Sequence, residues 1–195
     1  AMDLNGRAVA VVGAATAGAE IAGRLAASGA TVVVFEQNPR PYGKIEDGLP
    51  RWHRAQRAKE YGVIDGKLDH ENVWFVPSTR LGRDISLSEL ENDWGFSRVV
   101  LAVGAWRDRP LPLPGASELE GKGFVYQNPL IYWFNHHHEP HYAGDHFDTP
   151  DGSLIIGGGL ASIDVAKVMM LCTVQRALTE RGHPIDPLEM EHRGI

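Results

Sequence analysis

The sequence predicts an α/β fold, with a doubly wound parallel sheet followed by the start of a second nucleotide-binding domain. Four short apolar runs are continuous rather than alternating, which is typical of parallel strands covered on both faces. They are residues 8–12, 31–35, 99–103 and 154–156. Two glycine-rich turns, beginning at Gly13 and Gly157, each follow such a run directly. A strand that leads into a glycine-rich turn favours a sheet of the Rossmann type.

The segment 7–36 is predicted to form a strand, a glycine turn, a helix and a second strand. Residues 17–28 are rich in alanine, and apolar positions such as Ile21 and Leu25 fall on one helical face. Gly29 follows this stretch, and glycine is a common stop signal after a helix. The spacing therefore predicts one βαβ unit at the start of the chain.

The remaining elements are predicted from shorter patterns. Residues 39–50 and 116–150 are expected to be irregular, and the proline-rich stretch 108–115 is expected to be an extended crossing. Further helices and one more strand are also expected. The helices are residues 51–61, ended by Gly62, then 87–92 and 160–180, and the strand is residues 73–76.

Composition and charge exclude several classes of function. A formal net charge of −6 argues against binding of nucleic acid, which requires clustered positive charge. No apolar run approaches the roughly 18 residues that a membrane-spanning helix needs. Cys172 is the sole cysteine, so an internal disulfide is impossible, and we expect a reducing, cytoplasmic location.

The first glycine turn is predicted to hold the diphosphate of a dinucleotide. The unpaired N–H groups and the positive end of the following helix favour a phosphate there. Glu36 ends the second predicted strand, where a carboxylate can accept hydrogen bonds from ribose hydroxyls. The alternative is a doubly wound fold that packs well and binds nothing. The candidate ligand-binding residues are Gly13, Ala14, Ala15, Thr16, Ala17, Gly18 and Glu36.

Three segments, in this order, resemble conserved stretches of the pyridine nucleotide–disulfide oxidoreductase superfamily. The first is residues 9–36 with Pro39-Arg40-Pro41-Tyr42-Gly43, which resembles the start of the FAD-binding domain. The second is Leu101-Ala102-Val103-Gly104-Ala105 with 110–115, and the third is 156–159 with 162–166. The closer similarity is to the cysteine-free branch of adrenodoxin-reductase-like ferredoxin–NADP reductases and glutamate synthase small subunits. Ala15 and Tyr42 stand where that superfamily usually has glycine, and Val103 stands where it usually has threonine.

The resemblance implies a flavin-dependent oxidoreductase. FAD would take hydride from NAD(P)H, and the electrons would pass to an iron–sulfur carrier such as ferredoxin or to a partner subunit. The family's cysteine pair is absent, and no catalytic residue is assigned because hydride transfer needs no protein acid or base. The resemblance also implies three segments: an incomplete FAD-binding domain (1–115), an irregular connection (116–150) and the first βα unit of an incomplete NAD(P)-binding domain (151–195).

The resemblance extends the set of candidate cofactor residues beyond the first turn. Along the flavin, they are Gly43, Lys44, Gly48, Leu49, Ala102, Gly104 and Trp106. At the second turn, where the nicotinamide dinucleotide is expected, they are Gly157, Gly159, Leu160 and Ser162. Trp52 and His53 are either neighbours of the flavin ring or, respectively, a core residue and a solvated helix residue.

Two other interpretations of the chain remain open. Five histidines between His136 and His146 could form a metal site, but adjacent histidines point in different directions, so no metal ligand is assigned. A small metal-dependent binding protein is one alternative function. The other is a non-catalytic, nucleotide-binding assembly subunit, or an inactive fragment, that is stable only beside a partner chain.

Overall fold

The computed structural model describes residues 3–193. This part of the chain divides into two compact units. The first contains residues 3–46 and 55–105, and the second contains 47–54 and 106–193. The assignment of cofactors to the predicted domains stays a prediction, and the two units are described separately below.

The first unit is built on a four-stranded, fully parallel sheet. The strands are β1 (Ala8–Val12), β2 (Thr31–Phe35), β3 (Val73–Val76) and β4 (Arg98–Leu101). Their order is β3-β2-β1-β4, and in register Val12 pairs with Phe35 and with Leu101. This confirms the predicted α/β class. β4 ends before Val103, so the predicted run 99–103 was too long at its carboxyl end.

Four helices lie between these strands along the chain. They are α1 (Thr16–Ala27), α2 (Lys44–Asp47), α3 (Arg54–Leu68) and, after β3, α4 (Leu87–Asn92). Two predictions were wrong here. Residues 39–50 are not all loop, because α2 lies within them, and α3 does not end at Gly62. A glycine within a helix costs only about 1 kcal/mol relative to alanine. Burial of Ile64, two residues after Gly62, stabilises the helix beyond the glycine.

Alternate residues of β1 pack against opposite faces of the sheet. Val9 and Val11 lie in one core cluster with Ala22 and Ala26 of α1. The intervening side chains belong to a second cluster on the other face, which contains Ala10, Val12, Phe35, Ile85 and Leu90. Burial on both faces explains why the strand sequence is apolar throughout rather than alternating.

The second unit is helical among its described residues. It contains a short 3-10 helix (Ala116–Leu119) followed by α5 (Gln127–His136), α6 (Leu160–Glu180) and α7 (Pro187–Arg193). α6 has the predicted bounds. Segment 116–150 is not wholly irregular, because the apolar side chains Leu130, Ile131 and Phe134 of α5 reach the core. That core also contains Trp52, Val168, Leu171 and Met190.

The predicted strand 154–156 is not formed in the described structure. Leu154 is 86% exposed and Ile156 is 61% exposed, and neither residue pairs with a strand among residues 3–193. A short apolar run becomes a strand only when neighbouring strands offer hydrogen-bond partners. Without them, the described part of segment 151–195 contains α6 and α7 but lacks the strand of the predicted βα unit.

No helix within residues 3–193 has the length and apolar character needed to cross a bilayer.

Candidate nucleotide-binding site

The connection from β1 to α1 requires glycine at two positions, directly after β1 and in the first turn of α1. Gly13 has φ +99°, and a Cβ there would overlap the backbone of Ala102, lying 2.9 Å from its carbonyl carbon. A Cβ at Gly18 would overlap the carbonyl group of Gly13, with the carbonyl carbon at 2.8 Å. Because glycine has no side chain, β1, α1 and the end of β4 can approach closely at these two positions.

Position 15 does not require glycine for its backbone conformation. Ala15 is the N-cap of α1 and has φ −72° and ψ −160°, an extended conformation that any L-residue adopts. The departure from the family pattern is therefore free of backbone strain. The methyl group remains the one difference from the usual turn.

The amino end of α1 has the properties of a phosphate site. Ala15 makes no side-chain hydrogen bond to the first turn, and the side chains of Thr16 and Ala17 are exposed. The first N–H groups of a helix have no acceptor within the helix, and they lie at the positive end of its dipole. A diphosphate fits this donor set because its oxygens only accept hydrogen bonds.

Glu36 is brought to the glycine turn by the pairing of β1 with β2. Its carboxylate is buried, and Oε2 accepts a hydrogen bond from the backbone N–H of Ala14 at 2.9 Å. Oε1 accepts one from the backbone N–H of Asn38, also at 2.9 Å. Each carboxylate oxygen has a further lone pair, so the group can also accept from a ribose hydroxyl. The structure thus assembles the acid and the turn, as the spacing predicted.

The remaining candidates of the first unit lie on the chain segments that follow β2 and β4. Ala102 continues the pairing of β4, since its N–H donates to the carbonyl oxygen of Val12 at 2.8 Å. Gly104 follows with φ +71°. Gly43 is buried with φ +49°, and Lys44 is the first residue of α2.

Gly48, Leu49 and Trp106 belong to the second unit. The segment 47–51 is held there by Asn135, a buried residue that the sequence analysis did not single out. Its Nδ2 donates to the carbonyl oxygens of Leu49 at 3.0 Å and of Asp47 at 3.3 Å, and its Oδ1 accepts from the N–H of Arg51 at 3.0 Å. An asparagine in an apolar helical stretch was the available signal, because a buried amide needs several partners.

His53 makes a specific contact within the second unit. Its Nε2 lies 3.0 Å from Oδ1 of Asp164 on α6. The neighbouring Trp52 is a core residue, and Nζ of Lys167 lies 4.8 Å from the centroid of its ring. His53 is therefore a partly buried, paired histidine rather than a solvated helix residue, whereas its contact with a flavin stays a prediction.

The second glycine turn is formed only in part. Gly157 has φ +150°, and Ser162 Oγ donates to the carbonyl oxygen of Gly159 at 2.7 Å, which closes the first turn of α6. Leu160 is 83% exposed. Dinucleotides bind in a crevice at the ends of paired strands, and no such sheet accompanies this turn within residues 3–193.

The histidines between positions 136 and 146 form separate contacts. Nε2 of His136 lies 3.1 Å from Oδ1 of Asp47, and its Nδ1 lies 2.8 Å from Oε1 of Glu139. The hydrogen bond to Asp47 is the largest influence that raises the pKa of His136 above its usual value of 6.5. His137 instead contacts the carbonyl oxygen of Trp133. Among residues 3–193, no group of three or more histidine, cysteine or acidic side chains is placed to hold a metal ion.

Comparison with known protein families identifies the family of this chain. Residues 7–192 match the family described as pyridine nucleotide-disulphide oxidoreductase. The chain belongs to this family. The family membership agrees with the motifs that carried the resemblance, and with the glycine turn and Glu36 as they are placed in the structure.

Two curated relatives match most of the chain. One is a mitochondrial NADPH:adrenodoxin oxidoreductase of Arabidopsis thaliana, 30% identical over 174 residues, which are 88% of this chain and 35% of the relative. The other is a glutamate synthase [NADPH] small chain of Mycobacterium tuberculosis, 37% identical over 175 residues, which are 83% of this chain and 33% of the relative. The chain thus spans about a third of the length of these curated relatives.

A solved structure shares the fold of this chain. It is FprA of Mycobacterium tuberculosis in complex with NADPH, with a TM-score of 0.66 and 23% sequence identity. The match covers 83% of this chain and 36% of the FprA chain.

Proposed function

We propose that this chain is part of an FAD-dependent NADPH oxidoreductase and that its first unit holds the adenosine diphosphate end of FAD. The observation that supports this most strongly is the contact of Glu36 with the N–H of Ala14. In this contact a carboxylate suited to a ribose lies beside a helix start suited to a diphosphate, which supports the proposal. A side chain at Gly13 would overlap the backbone of Ala102, and one at Gly18 would overlap the carbonyl group of Gly13, so glycine at both positions keeps the turn closely packed.

The residues of the chain would act by binding and orientation. The first turn of α1 neutralises the diphosphate, and the Glu36 carboxylate accepts hydrogen bonds from the ribose and would repel a ribose phosphate. Bound FAD supplies the redox chemistry, which is acceptance of hydride from a nicotinamide and release of single electrons. Nε2 of His53 lies 3.0 Å from Oδ1 of Asp164, and this contact fixes the orientation of the imidazole ring.

NADPH and an iron–sulfur carrier are the proposed reaction partners. The two relatives described above are named for NADPH, and one of them is named for adrenodoxin. A further relative, from Mycobacterium leprae, is named a probable ferredoxin/ferredoxin–NADP reductase and is 32% identical over 163 residues. We place the protein in a reducing compartment such as the cytoplasm, which its single, buried cysteine Cys172 supports.

A direct test is to purify the chain and identify any nucleotide that it releases. The proposal expects a yellow protein with flavin absorbance at about 450 nm, or an apoprotein that binds added FAD tightly. Glu36→Gln should bind FAD more weakly than the wild type. A colourless wild-type protein to which FAD does not bind would overturn the proposal.

A second function is favoured by a different observation. Leu154, Ile156, Leu160 and Ile163 are all exposed in the second unit, which suits a nucleotide-binding subunit that assembles with another chain. Under this alternative the protein would be colourless and monomeric forms would aggregate, whereas complexes with the partner chain would be stable. Size-exclusion chromatography combined with the flavin measurement separates the two functions.

A further inference from the structure

The aromatic ring of Tyr42, in the segment between β2 and α2, stacks on the ring of Tyr61 in α3. The ring centroids are 3.8 Å apart and the planes differ by 24°. The hydroxyl group of Tyr42 donates to the carboxylate of Asp65, with distances of 3.1 Å to Oδ1 and 3.3 Å to Oδ2. Asp65 follows Tyr61 by four residues, so α3 presents both partners on one face.

The same face of α3 holds the segment at a second point. Nη2 of Arg57 donates to the carbonyl oxygen of Glu46 at 3.0 Å, and its Nε donates to the hydroxyl group of Tyr61 at 3.1 Å. Arg57, Tyr61 and Asp65 are spaced by four residues along the helix. Residues 43–45 therefore lie between two attachments to one helical face, which we call the α3 latch (Tyr42, Glu46, Arg57, Tyr61 and Asp65).

The backbone between the attachments has a conformation that glycine adopts readily and other residues rarely do. Gly43 is buried with φ +49°, in the left-handed region. The N–H of Ile45 donates to the carbonyl oxygen of Tyr42 at 3.0 Å, and that of Glu46 donates to Gly43 at 3.1 Å. Burial, followed by the hydrogen bond to Asp65, raises the pKa of Tyr42, so its hydroxyl group remains a donor at neutral pH.

We propose that Tyr42 is a positioning residue, which acts through the α3 latch to hold the backbone at 43–45 in the conformation that receives FAD. This inference rests on the proposed function. Tyr42 does not itself need to touch the flavin, because its ring lies on Tyr61 and its hydroxyl group is bonded to Asp65. A glycine at this position could make neither contact, so the departure from the family pattern gives the segment its anchor.

The test uses the full chain with the variants Tyr42→Ala, Tyr42→Phe and Asp65→Asn. FAD affinity is measured by quenching of flavin fluorescence, and amide hydrogen exchange at residues 43–46 is measured without FAD. Tyr42→Ala should weaken FAD binding about tenfold and speed exchange at 43–46. Tyr42→Phe retains the stack and should recover most of the affinity, and Asp65→Asn retains an acceptor and should resemble the wild type.

The outcomes test the α3 latch and the proposed function separately. Unchanged FAD affinity and unchanged exchange in Tyr42→Ala would overturn the latch. Equal loss of affinity in Tyr42→Ala and Tyr42→Phe would overturn the role of stacking. If Tyr42→Ala does not fold, Tyr42→Leu, which also loses the stack and the hydrogen bond but fills more of the space, tests the same contacts. A wild-type protein that fails to bind FAD contradicts the proposed function, and the exchange rates then still test the latch.

Discussion

The buried carboxylate of Glu36 accepts a hydrogen bond from the backbone N–H of Ala14 at 2.9 Å. The two residues are 22 positions apart, and the parallel pairing of β1 with β2 brings them together. The contact fixes the carboxylate beside the glycine turn before any ligand binds. Glu36 therefore has a structural role as well as its proposed role toward a ribose.

Glu36→Gln is expected to destabilise the fold and to weaken FAD binding. Both carboxylate oxygens accept from backbone N–H groups, and a glutamine offers an NH₂ group to one of these donors instead. A buried donor without an acceptor costs about 1–3 kcal/mol, so the free energy of unfolding should fall by that amount. Urea denaturation measures the change, with the exposed Glu71→Gln as the control. Equal stabilities of the two variants would contradict the prediction.

Gly18→Ala is expected to disrupt the first unit. A Cβ at position 18 overlaps the carbonyl group of Gly13, so either β1 or α1 must move. We expect a loss of about 2 kcal/mol or more in the free energy of unfolding, together with loss of FAD binding. Thermal denaturation followed by circular dichroism measures the first effect.

Gly62→Ala provides the matched control for this substitution. Gly62 lies within α3, and a Cβ there has no heavy atom within 4 Å. Alanine is the better helix former by about 1 kcal/mol, so Gly62→Ala should keep or raise the stability. A Gly18→Ala protein as stable as Gly62→Ala would show that the turn is less tightly packed than described.

The sheet of the first unit was predictable because the sequence signals for its strands lie within the strands and the turns beside them. β1, β2 and β3 are continuous apolar runs with turn signals on both sides, and their predicted bounds agree with the structure. The spacing from Gly13 to Glu36 then predicted a shared site, because parallel neighbours end at the same edge of a sheet. The contact of Glu36 with Ala14 follows from that geometry.

The structure of the second unit was less predictable because its elements depend on contacts between residues that are far apart in the sequence. Residues 154–156 carry the apolar pattern of a strand, yet a strand forms only beside another strand. α5 was missed because its apolar residues lie among histidines and prolines, and its burial depends on contacts with residues of α6 such as Val168. Asn135 was missed since its partners are backbone groups more than 80 positions away.

Asn135→Leu is expected to release the segment 47–51 and destabilise the second unit. The leucine fills a similar volume but leaves partly buried backbone groups of Asp47, Leu49 and Arg51 without their amide partner. The free energy of unfolding should fall by about 2–4 kcal/mol. Chemical denaturation measures the loss.

The control for that variant is Asn92→Leu, at an exposed helical amide that bonds to Ser88. A surface substitution of this kind should change the free energy of unfolding by no more than about 0.5 kcal/mol. If the two asparagine variants lose the same stability, the amide of Asn135 does not hold the segment.

The contacts of His136 predict a pH-dependent stability. Each ring nitrogen faces a carboxylate oxygen, of Asp47 and of Glu139, and only the doubly protonated ring can donate to both. The ring of Tyr132 covers the imidazole at 4.6 Å between centroids. Because the pKa is raised in the folded state, the contribution of His136 is complete below the usual value of 6.5 and is lost as pH rises through the higher folded value.

The measurement is the free energy of unfolding of the wild type and of His136→Gln from about pH 5.5 to about pH 9. The wild type should be the more stable protein at the acidic end, and the difference should shrink as pH rises above 6.5. A glutamine side chain cannot carry the charge that both carboxylates stabilise, so its curve lacks this slope. The exposed His183→Gln serves as the control and should run parallel to the wild type. A constant difference between wild type and His136→Gln across this range would mean that protonation does not strengthen the bridge between Asp47 and Glu139.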